Sequence, residues 1–407
     1  MRIAMVSEHA SPLAVLGGVD AGGQNVHVDA LARSLAGRGH DVVVHTRRDD
    51  PDLPATVEVV PGFVVHHVDA GPPTYVPKDE FGPFLPRFAE ELARYWGHWR
   101  PDVVHAHFWM SGVVSLLGTE RHGIPSAVTF HALGVVKKRH QAEADTSPDV
   151  RIPAERQLIA RMDRIIATCS DEVRELQRLG GDIGKIDVVP CGVDARAFLP
   201  RPSVRSRRPF QILSLGRLVP RKGVGEAVRM MAELPDAELV VAGGPPPEGV
   251  DADPEVARLR ALAQECGVAD RVRFVGAADR DAIPQLVADC DVAVCLPWYE
   301  PFGIVPLEIM ACGRPLVGSA VGGLLDTVSE GRTGLLVAPR APSEAAGAVR
   351  YLLDDARMRA RMGQAARHKV ESLYDWDQVA EATEAVYEQI LTAQGPKQSV
   401  AAGKSVR

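Results

Sequence analysis

No run of apolar residues in this chain approaches the ~20 needed to cross a bilayer. Its start, Met1-Arg-Ile-Ala-Met-Val-Ser7, lacks the basic, apolar and cleavage segments of a secretory signal. The expectation is a protein with no transmembrane segment, working in the cytoplasm. No strongly basic amphipathic helix demands a membrane surface either. The six cysteines (Cys169, Cys191, Cys266, Cys290, Cys295 and Cys312) include no Cys-x-x-Cys pair and lie mostly in apolar runs. Reduced, buried thiols are therefore expected. Positive charge is not in excess: the net charge is −7 and no strongly basic domain stands out. Nucleic acid is excluded as the main partner. There is no Gly-x-x-x-x-Gly-Lys-Ser/Thr phosphate loop, and the Gly22-Gly23 pair does not form Gly-x-Gly-x-x-Gly. His105-x-His107 finds no third ligand spaced to complete a metal site, so no metal is expected. Both histidines read as strand-end packing near a cleft. Asp251-x-Asp253 falls in a Pro-rich loop and reads as solvated.

What is present is alternation. At 407 residues the chain is too long for one ordinary core, and 46% hydrophobic with 24% charged residues is globular composition. Short β-branched runs recur at Arg2–Ser7, Asp41–Thr46, Val64–Val68, Asp102–His105, Ser126–His131, Arg164–Thr168 and Asp187–Pro190. Helical patterns separate most of them, at Gly22–Arg38, Glu80–His98 and Ser111–His122. A Pro- and Arg-rich stretch, Phe198–Pro209, reads as a linker. The alternation then restarts at Gln211–Leu215, Glu238–Ala242, Arg273–Val275, Asp291–Leu296, Pro315–Ser319 and Gly334–Val337. Strand–helix–strand repetition means parallel sheets with helices on both faces. The fold class is α/β, with two doubly wound domains whose ligand sites lie beyond the carboxyl ends of their strands. A last helix, Trp376–Thr392, starts behind Asp375 as its cap. Gln394–Arg407 has almost no apolar anchor and reads as a disordered tail.

Glu300-Pro-Phe-Gly-Ile-Val-Pro-Leu-Glu308 is the most informative segment. Pro301 biases Glu300 toward an extended loop conformation. Helical spacing begins near Gly303, which puts Glu308 early in a helix. Backbone N–H groups at that helix start point out of the sheet edge where anions bind. Arg217 and Lys222 follow the first strand of the second half. Two cations there suit a nucleotide diphosphate, whose charge grows as the sugar bond breaks. They read equally as solvated charges in a basic turn. Likewise Glu300 could be a plain loop carboxylate, and Glu308 an acid favouring a helix start. A plain strand–helix turn would account for Gly22 and Gly23, and a structural role for His131.

Six motifs in this order resemble the family-4 retaining glycosyltransferases of GT-B fold. They are Asp20-Ala-Gly-Gly-Gln-Asn-Val-His27, His105-Ala-His-Phe-Trp-Met-Ser-Gly112, Thr129-Phe-His-Ala132, Val189-Pro-Cys-Gly-Val-Asp194, Gly216-Arg-Leu-Val-Pro-Arg-Lys-Gly223 and the Glu300–Glu308 segment. Within that family the chain looks most like the branch of mycothiol-pathway inositol-phosphate N-acetylglucosaminyltransferases and sucrose-phosphate synthases. The resemblance implies an N-terminal acceptor-binding domain over 1–197 and a nucleotide-sugar domain over 210–374. It also implies that a helix at 375–393 crosses back to the first domain, ahead of the tail at 394–407.

The resemblance further implies a hexosyltransferase that moves a sugar from a nucleoside diphosphate, UDP by family default, to an acceptor hydroxyl. No cofactor is required. Arg217 and Lys222 would hold the diphosphate, Glu308 the ribose hydroxyls and Glu300 the transferred sugar. Backbone N–H groups of Phe302, Gly303, Ile304 and Val305 would meet sugar and phosphate. Gly22 and Gly23 would lie against the donor phosphate and acceptor, and His131 would touch the sugar from across the cleft. On the acceptor side Lys78 and Arg151 match family phosphate ligands, or are surface charges. Phe108 and Ala132 stand where that branch has Tyr and Thr, so two hydroxyl donors to an acceptor phosphate are missing. The acceptor expected is a differently held sugar or polyol phosphate, a neutral polyol or a natural product. A homodimer is the assembly left open. The rival readings are a GT-B phosphorylase or nucleotide-sugar epimerase, and a non-catalytic sugar-binding protein. The last would need an export signal and no dicationic phosphate site.

Overall fold

The computed structural model describes residues 1–14, 22–141, 145–204 and 209–393. The tail expected at 394–407, Asp20 and Ala21 of the first glycine motif, and 205–208 of the linker lie outside the described residues.

Eight strands build the first sheet: β1 Arg2–Val6, β2 Asp41–Arg47, β3 Thr56–Val60, β4 Phe63–Val68, β5 Val103–His107, β6 Ser126–Thr129, β7 Arg164–Ala167 and β8 Ile186–Val188. Their order is β3-β4-β2-β1-β5-β6-β7-β8. Six more build the second: β9 Phe210–Leu215, β10 Ala237–Ala242, β11 Val272–Gly276, β12 Val292–Cys295, β13 Leu316–Ser319 and β14 Gly334–Val337. Their order is β11-β10-β9-β12-β13-β14. Every pairing is parallel except β3 with β4.

β3 is absent from the strand reading of the sequence. It is a half-exposed edge strand joined to β4 by the Pro61-Gly62 turn, with Gly62 at φ +84°. Its alternation of exposed and half-buried residues belongs to an antiparallel edge, not to the buried runs of a parallel sheet. The expected helix Glu80–His98 also starts later, at Leu85. Pro86 in its first turn marks that start, and two short 3₁₀ turns, Lys78–Glu80 and Gly82–Phe84, fill the approach.

Strand periodicity sorts the core into layers. Ala4 and Val6 of β1 face one side, with Phe88, Leu92, Trp96 and Val114 from helices Leu85–His98 and Trp109–His122. Ile3 and Met5 face the other, with Val28, Leu31 and Leu35 from helix Gly23–Gly37. The final helix, Trp376–Ala393, packs into this same layer through Val379, Val386 and Tyr387. Asp375 caps it, its carboxylate accepting from the Asp377 N–H at 3.1 Å. Tyr387 is fully buried, and its hydroxyl lies 2.7 Å from His105 Nδ1. The second sheet is covered by helices Val224–Met230 and Pro342–Asp354 on one face and Ile304–Ala311 and Ala356–Leu373 on the other. Among the described residues no helix is long and apolar enough to cross a membrane.

The strand orders locate the ligand sites. In the first sheet the chain moves outward from β1 through β2 and β4, then returns to place β5 on β1's other side. In the second it moves from β9 through β10 to β11, then places β12 on β9's other side. Adjacent connections diverge at β1/β5 and at β9/β12, opening a crevice at the carboxyl edge of each sheet.

Candidate functional site

The β9/β12 crevice collects most of the residues singled out for donor binding. After β12, the loop Leu296–Gly303 runs into helix Ile304–Ala311, with Gly303 as N-cap at φ +79°. Other loops approach this one too closely for side chains. A Cβ on Gly223 (φ +72°) would lie 1.7 Å from the Leu296 carbonyl oxygen, and one on Gly322 (φ +51°) 2.1 Å from the Glu300 carbonyl oxygen. The loop is also tied by hydrogen bonds. Trp298 N–H donates to the Arg221 carbonyl at 2.8 Å, and Gly323 N–H to the Glu300 carbonyl at 2.8 Å.

Within this frame Lys222 Nζ pairs directly with the Glu300 carboxylate. Glu300 is only 6% exposed. Burial pushes its carboxyl up, but Lys222, Arg221 and a hydrogen bond from the Gly303 backbone outweigh burial and hold it below the ordinary range. Arg217 sits exposed at the lip just after β9, electrostatically coupled to Arg221 and Glu300. Three cations therefore surround one carboxylate at the end of β9.

Glu308 is the fifth of eight helical residues, one full turn in, and the first turn carries no acid. This corrects the expectation of a position early in the helix. The plain reading of Glu308 as a residue favouring a helix start goes with it, since the dipole effect is confined to the first turn. It is buried on an otherwise apolar helix, and burial pushes its carboxyl up to about 7, with Arg280 opposing. A carboxylate held at such cost in an unpaired environment is a functional candidate.

Across the cleft, Gly22 is the N-cap of helix Gly23–Gly37, its N–H donating to Asn25 Oδ1 at 3.0 Å. A Cβ on Gly23 would stand 3.3 Å from Ile304 Cδ1 and 3.6 Å from the Phe302 ring, so the two sides meet here. His131 lies two residues past β6 rather than within it, at φ +60°. That left-handed turn takes it out of the ladder and sends it toward the other domain. Its ring meets Phe302 edge-on at 5.2 Å and stacks on His107 at 5.1 Å, with His131 Nε2 2.9 Å from His107 Nδ1. Burial lowers the His131 pKa well below its usual value, and His27, His105 and His9 push it the same way. The ring is neutral at pH 7. His131 Nδ1 is buried with no protein partner. His105, by contrast, is held by Tyr387 and Thr129. Among the described residues, no three His, Cys, Asp or Glu converge as a metal site.

The acceptor candidates also cluster. Phe108 adopts φ +86°, ψ 161°, a region that glycine favours, at the head of helix Trp109–His122. Its ring meets the His9 ring edge-on at 5.0 Å and has the Arg151 guanidinium over it at 4.9 Å. Arg151 is 4% exposed and pairs with Glu155 at 2.8 Å, Ser147 Oγ at 3.1 Å and the Ala132 carbonyl. Arg151 is therefore not a surface charge. Lys78 is half-buried in its 3₁₀ turn, and that turn is tied toward Ser147 by the Asp79–Thr146 hydrogen bond of 2.6 Å. Phe108, Ala132 and Arg151 thus share one corner, with Lys78 on an adjoining turn.

The domains also touch directly. Ser170 N–H and Oγ donate to the Asp326 carboxylate at 2.6 and 2.7 Å, and Tyr299 stacks on His140 at 5.0 Å. A cleft of about 590 Å³ lies between helix Gly23–Gly37, Trp376 and Arg280, and is not lined by Arg217, Lys222, Glu300 or Glu308.

Sequence reading left out Arg221, Arg280, His107's pairing with His131, and Glu155. Arg221 was legible in principle, as a third cation beside Lys222. Nothing local marks Arg280 or Glu155, whose roles come from three-dimensional proximity. Asp253 is an ordinary helix cap, accepting from Glu255 and Val256 N–H, and Asp251 pairs with exposed Arg260.

A family model for a glycosyl transferase 4-like domain matches residues 22–192, and one for glycosyl transferases group 1 matches 196–369. The chain is 38% identical to the D-inositol 3-phosphate glycosyltransferase of Acidothermus cellulolyticus, over 96% of this chain and 90% of that protein. It is 37% identical to D-inositol 3-phosphate glycosyltransferase 2 of Catenulispora acidiphila, over 95% and 94%. Among solved structures, the sucrose-phosphate synthase of Thermosynechococcus elongatus superposes with a TM-score of 0.86 at 33% identity, over 96% of this chain and 99% of that one. Anabaena HepE, solved with UDP-glucose, shares the fold at a TM-score of 0.71 and 19% identity, over 96% and 100%. The six motifs, the paired sheets with their facing crevices and these relatives agree: the chain belongs to the family-4 glycosyltransferases of GT-B fold, and is an enzyme that transfers a sugar.

Proposed function

We propose that this enzyme transfers a hexose from a UDP-sugar to a hydroxyl of a sugar or polyol acceptor, with retention of anomeric configuration. The observation that carries the proposal is the arrangement at the β9/β12 crevice. Cations Arg217, Arg221 and Lys222 lie there with buried Glu308 one turn into the adjoining helix. Cations neutralise a leaving diphosphate without reorganising as its charge grows. Glu308 accepts hydrogen bonds from the ribose hydroxyls. The first N–H groups of helix Ile304–Ala311 lack intrahelical acceptors; that of Gly303 meets Glu300, and those of Phe302, Ile304 and Val305 offer donors to phosphate and sugar.

Gly22 and Gly23 let the donor phosphates and the acceptor approach the first domain closely, and neutral His131 offers Nδ1 to the sugar. The acceptor enters beside Phe108, Ala132, Arg151 and Lys78. This reading assigns no carboxylate as a covalent nucleophile. The acceptor hydroxyl attacks from the face the leaving group departs, and the departing phosphate takes its proton. The enzyme supplies position and charge. With the diphosphate met by side-chain cations, no metal is needed.

A panel of nucleotide sugars, read by released nucleoside diphosphate, tests this directly. UDP-sugars should turn over, and acceptors with and without phosphate should then be compared. Release of no diphosphate from any donor sinks the proposal.

The Glu308 carboxyl near pH 7 adds a second expectation. Its ionised form is the better acceptor for the ribose, so nucleotide binding favours proton loss. The ionised fraction rises about tenfold between pH 6 and pH 8, and UDP affinity should follow it. Calorimetry across that range on wild type and Glu308→Gln separates this from ionisation of the nucleotide itself: the variant should show the shallower slope. Equal slopes would contradict the role given to Glu308.

A further inference from the structure

Lys222, read above as a phosphate ligand, is already occupied. Its ammonium is bonded to Glu300, and both side chains are largely withdrawn from solvent, at 19% and 7% exposure. Glu300 is held a second time by the Gly303 N–H. Its main chain is fixed by the Gly323 N–H. The carboxylate therefore has a firm seat against Lys222, in the space beside the cations where a diphosphate would bring two or more negative charges. Three cations cannot hold Glu300 and a diphosphate at contact distance without the two anions also repelling.

Resting on the donor assignment above, we infer that Glu300 and the donor diphosphate exchange on Lys222: the carboxylate occupies the phosphate's place in the empty enzyme, and arrival of the diphosphate releases it to the sugar. The exchange gives Glu300 two successive partners. Before donor binding it neutralises a cluster of cations that would otherwise repel one another. After donor binding it keeps the Gly303 N–H and turns its freed oxygen to hydroxyls of the transferred sugar.

The consequence is selectivity between donor and product. With a nucleotide sugar, the released carboxylate gains hydroxyl donors that compensate for the lost lysine. With the bare diphosphate left after transfer there is no sugar, and Glu300 competes to recover Lys222. The same residue that receives the sugar thus helps expel the nucleotide product. Glu300 acts here by occupying Lys222, separately from its contact with substrate.

Isothermal calorimetry with UDP tests the exchange on wild type and on Glu300→Gln, which keeps the shape and removes the charge. The variant should bind UDP about tenfold more tightly, while its sugar transfer falls by about a hundredfold. Glu300→Ala should shift UDP affinity in the same direction, so either folded variant decides. In a Lys222→Ala background, Glu300→Gln should lose most of its gain. Unchanged or weaker UDP binding by the Glu300 variants overturns the exchange while leaving the donor site intact. A gain that survives intact in the Lys222→Ala background also overturns it. Wild-type protein that binds no UDP overturns the donor assignment and the exchange together.

Discussion

Alanine at Glu308 should weaken UDP binding by about a hundredfold, and alanine at Lys222 by a similar factor. The reasoning for Glu308 starts from its surroundings: it is 7% exposed, on a helix otherwise made of Ile, Val, Pro, Leu, Met and Ala. A ribose that donates two hydroxyls to it gains hydrogen bonds to a charged acceptor, each worth ~1.5–3 kcal/mol. Water entering the space left by alanine recovers part of that. Lys222 is one of three cations, so its loss leaves the diphosphate partly neutralised by Arg217 and Arg221. Binding therefore falls less than turnover, because charge on the leaving group is greatest in the transition state. Calorimetry gives the affinities and released UDP the rates. Unchanged UDP affinity in both variants would sink the donor-site assignment.

Gly223→Ala should be as damaging without removing any ligand. The residue sits at φ +72°, and its Cβ would stand 1.7 Å from the Leu296 carbonyl oxygen. That carbonyl closes β12 and opens the loop carrying Glu300, while Gly223 itself follows Lys222. One methyl group therefore pushes the two halves of the donor site apart. Left-handed backbone alone costs an alanine about 1–2 kcal/mol, and the forced displacement adds more. A loss of ~3 kcal/mol lowers the melting temperature of a domain this size by about 6–12 °C. Gly180→Ala is the control: its φ is +94°, but no atom lies within 4 Å of its Cβ, so only the backbone cost applies. Equal melting temperatures for the two variants would show that the contact with Leu296 does not matter.

These two positions mark how far the sequence could be read. Elements with a strong local pattern were legible. The buried strands of both sheets, the helix behind Asp375 and the loop-to-helix turn after Pro301 each announce themselves within a few residues. β3 did not, because its alternation is half-exposed and its only partner is the neighbouring strand. Of the site, the residue types were readable but not their contacts. Gly223 appears in the sequence as the end of a basic turn; only the folded chain brings Leu296 against it. The Lys222–Glu300 pair spans 78 positions and has no local signal. Phe108 and Ala132 stand out in the sequence as departures from a pattern, whereas the contacts of Phe108 with His9 and Arg151 join residues far apart in the chain and have no local signal.

Helix Trp376–Ala393 completes a layer whose other members come from the first 190 residues. Its Trp376 meets His27 edge-on at 5.4 Å, and its Tyr387 reaches His105. During synthesis those 18 residues are the last described ones to be made. Until they are added, the part of this face beside helix Gly23–Gly37 is open to water, although every element of the second domain precedes them in the chain. The order of birth and the order of completion are therefore reversed: the first domain begun is the last one finished. A chain cut before Trp376 therefore keeps every element of the second domain but leaves the first one unsealed, a species exposed to chaperones and proteases in a way the released enzyme is not.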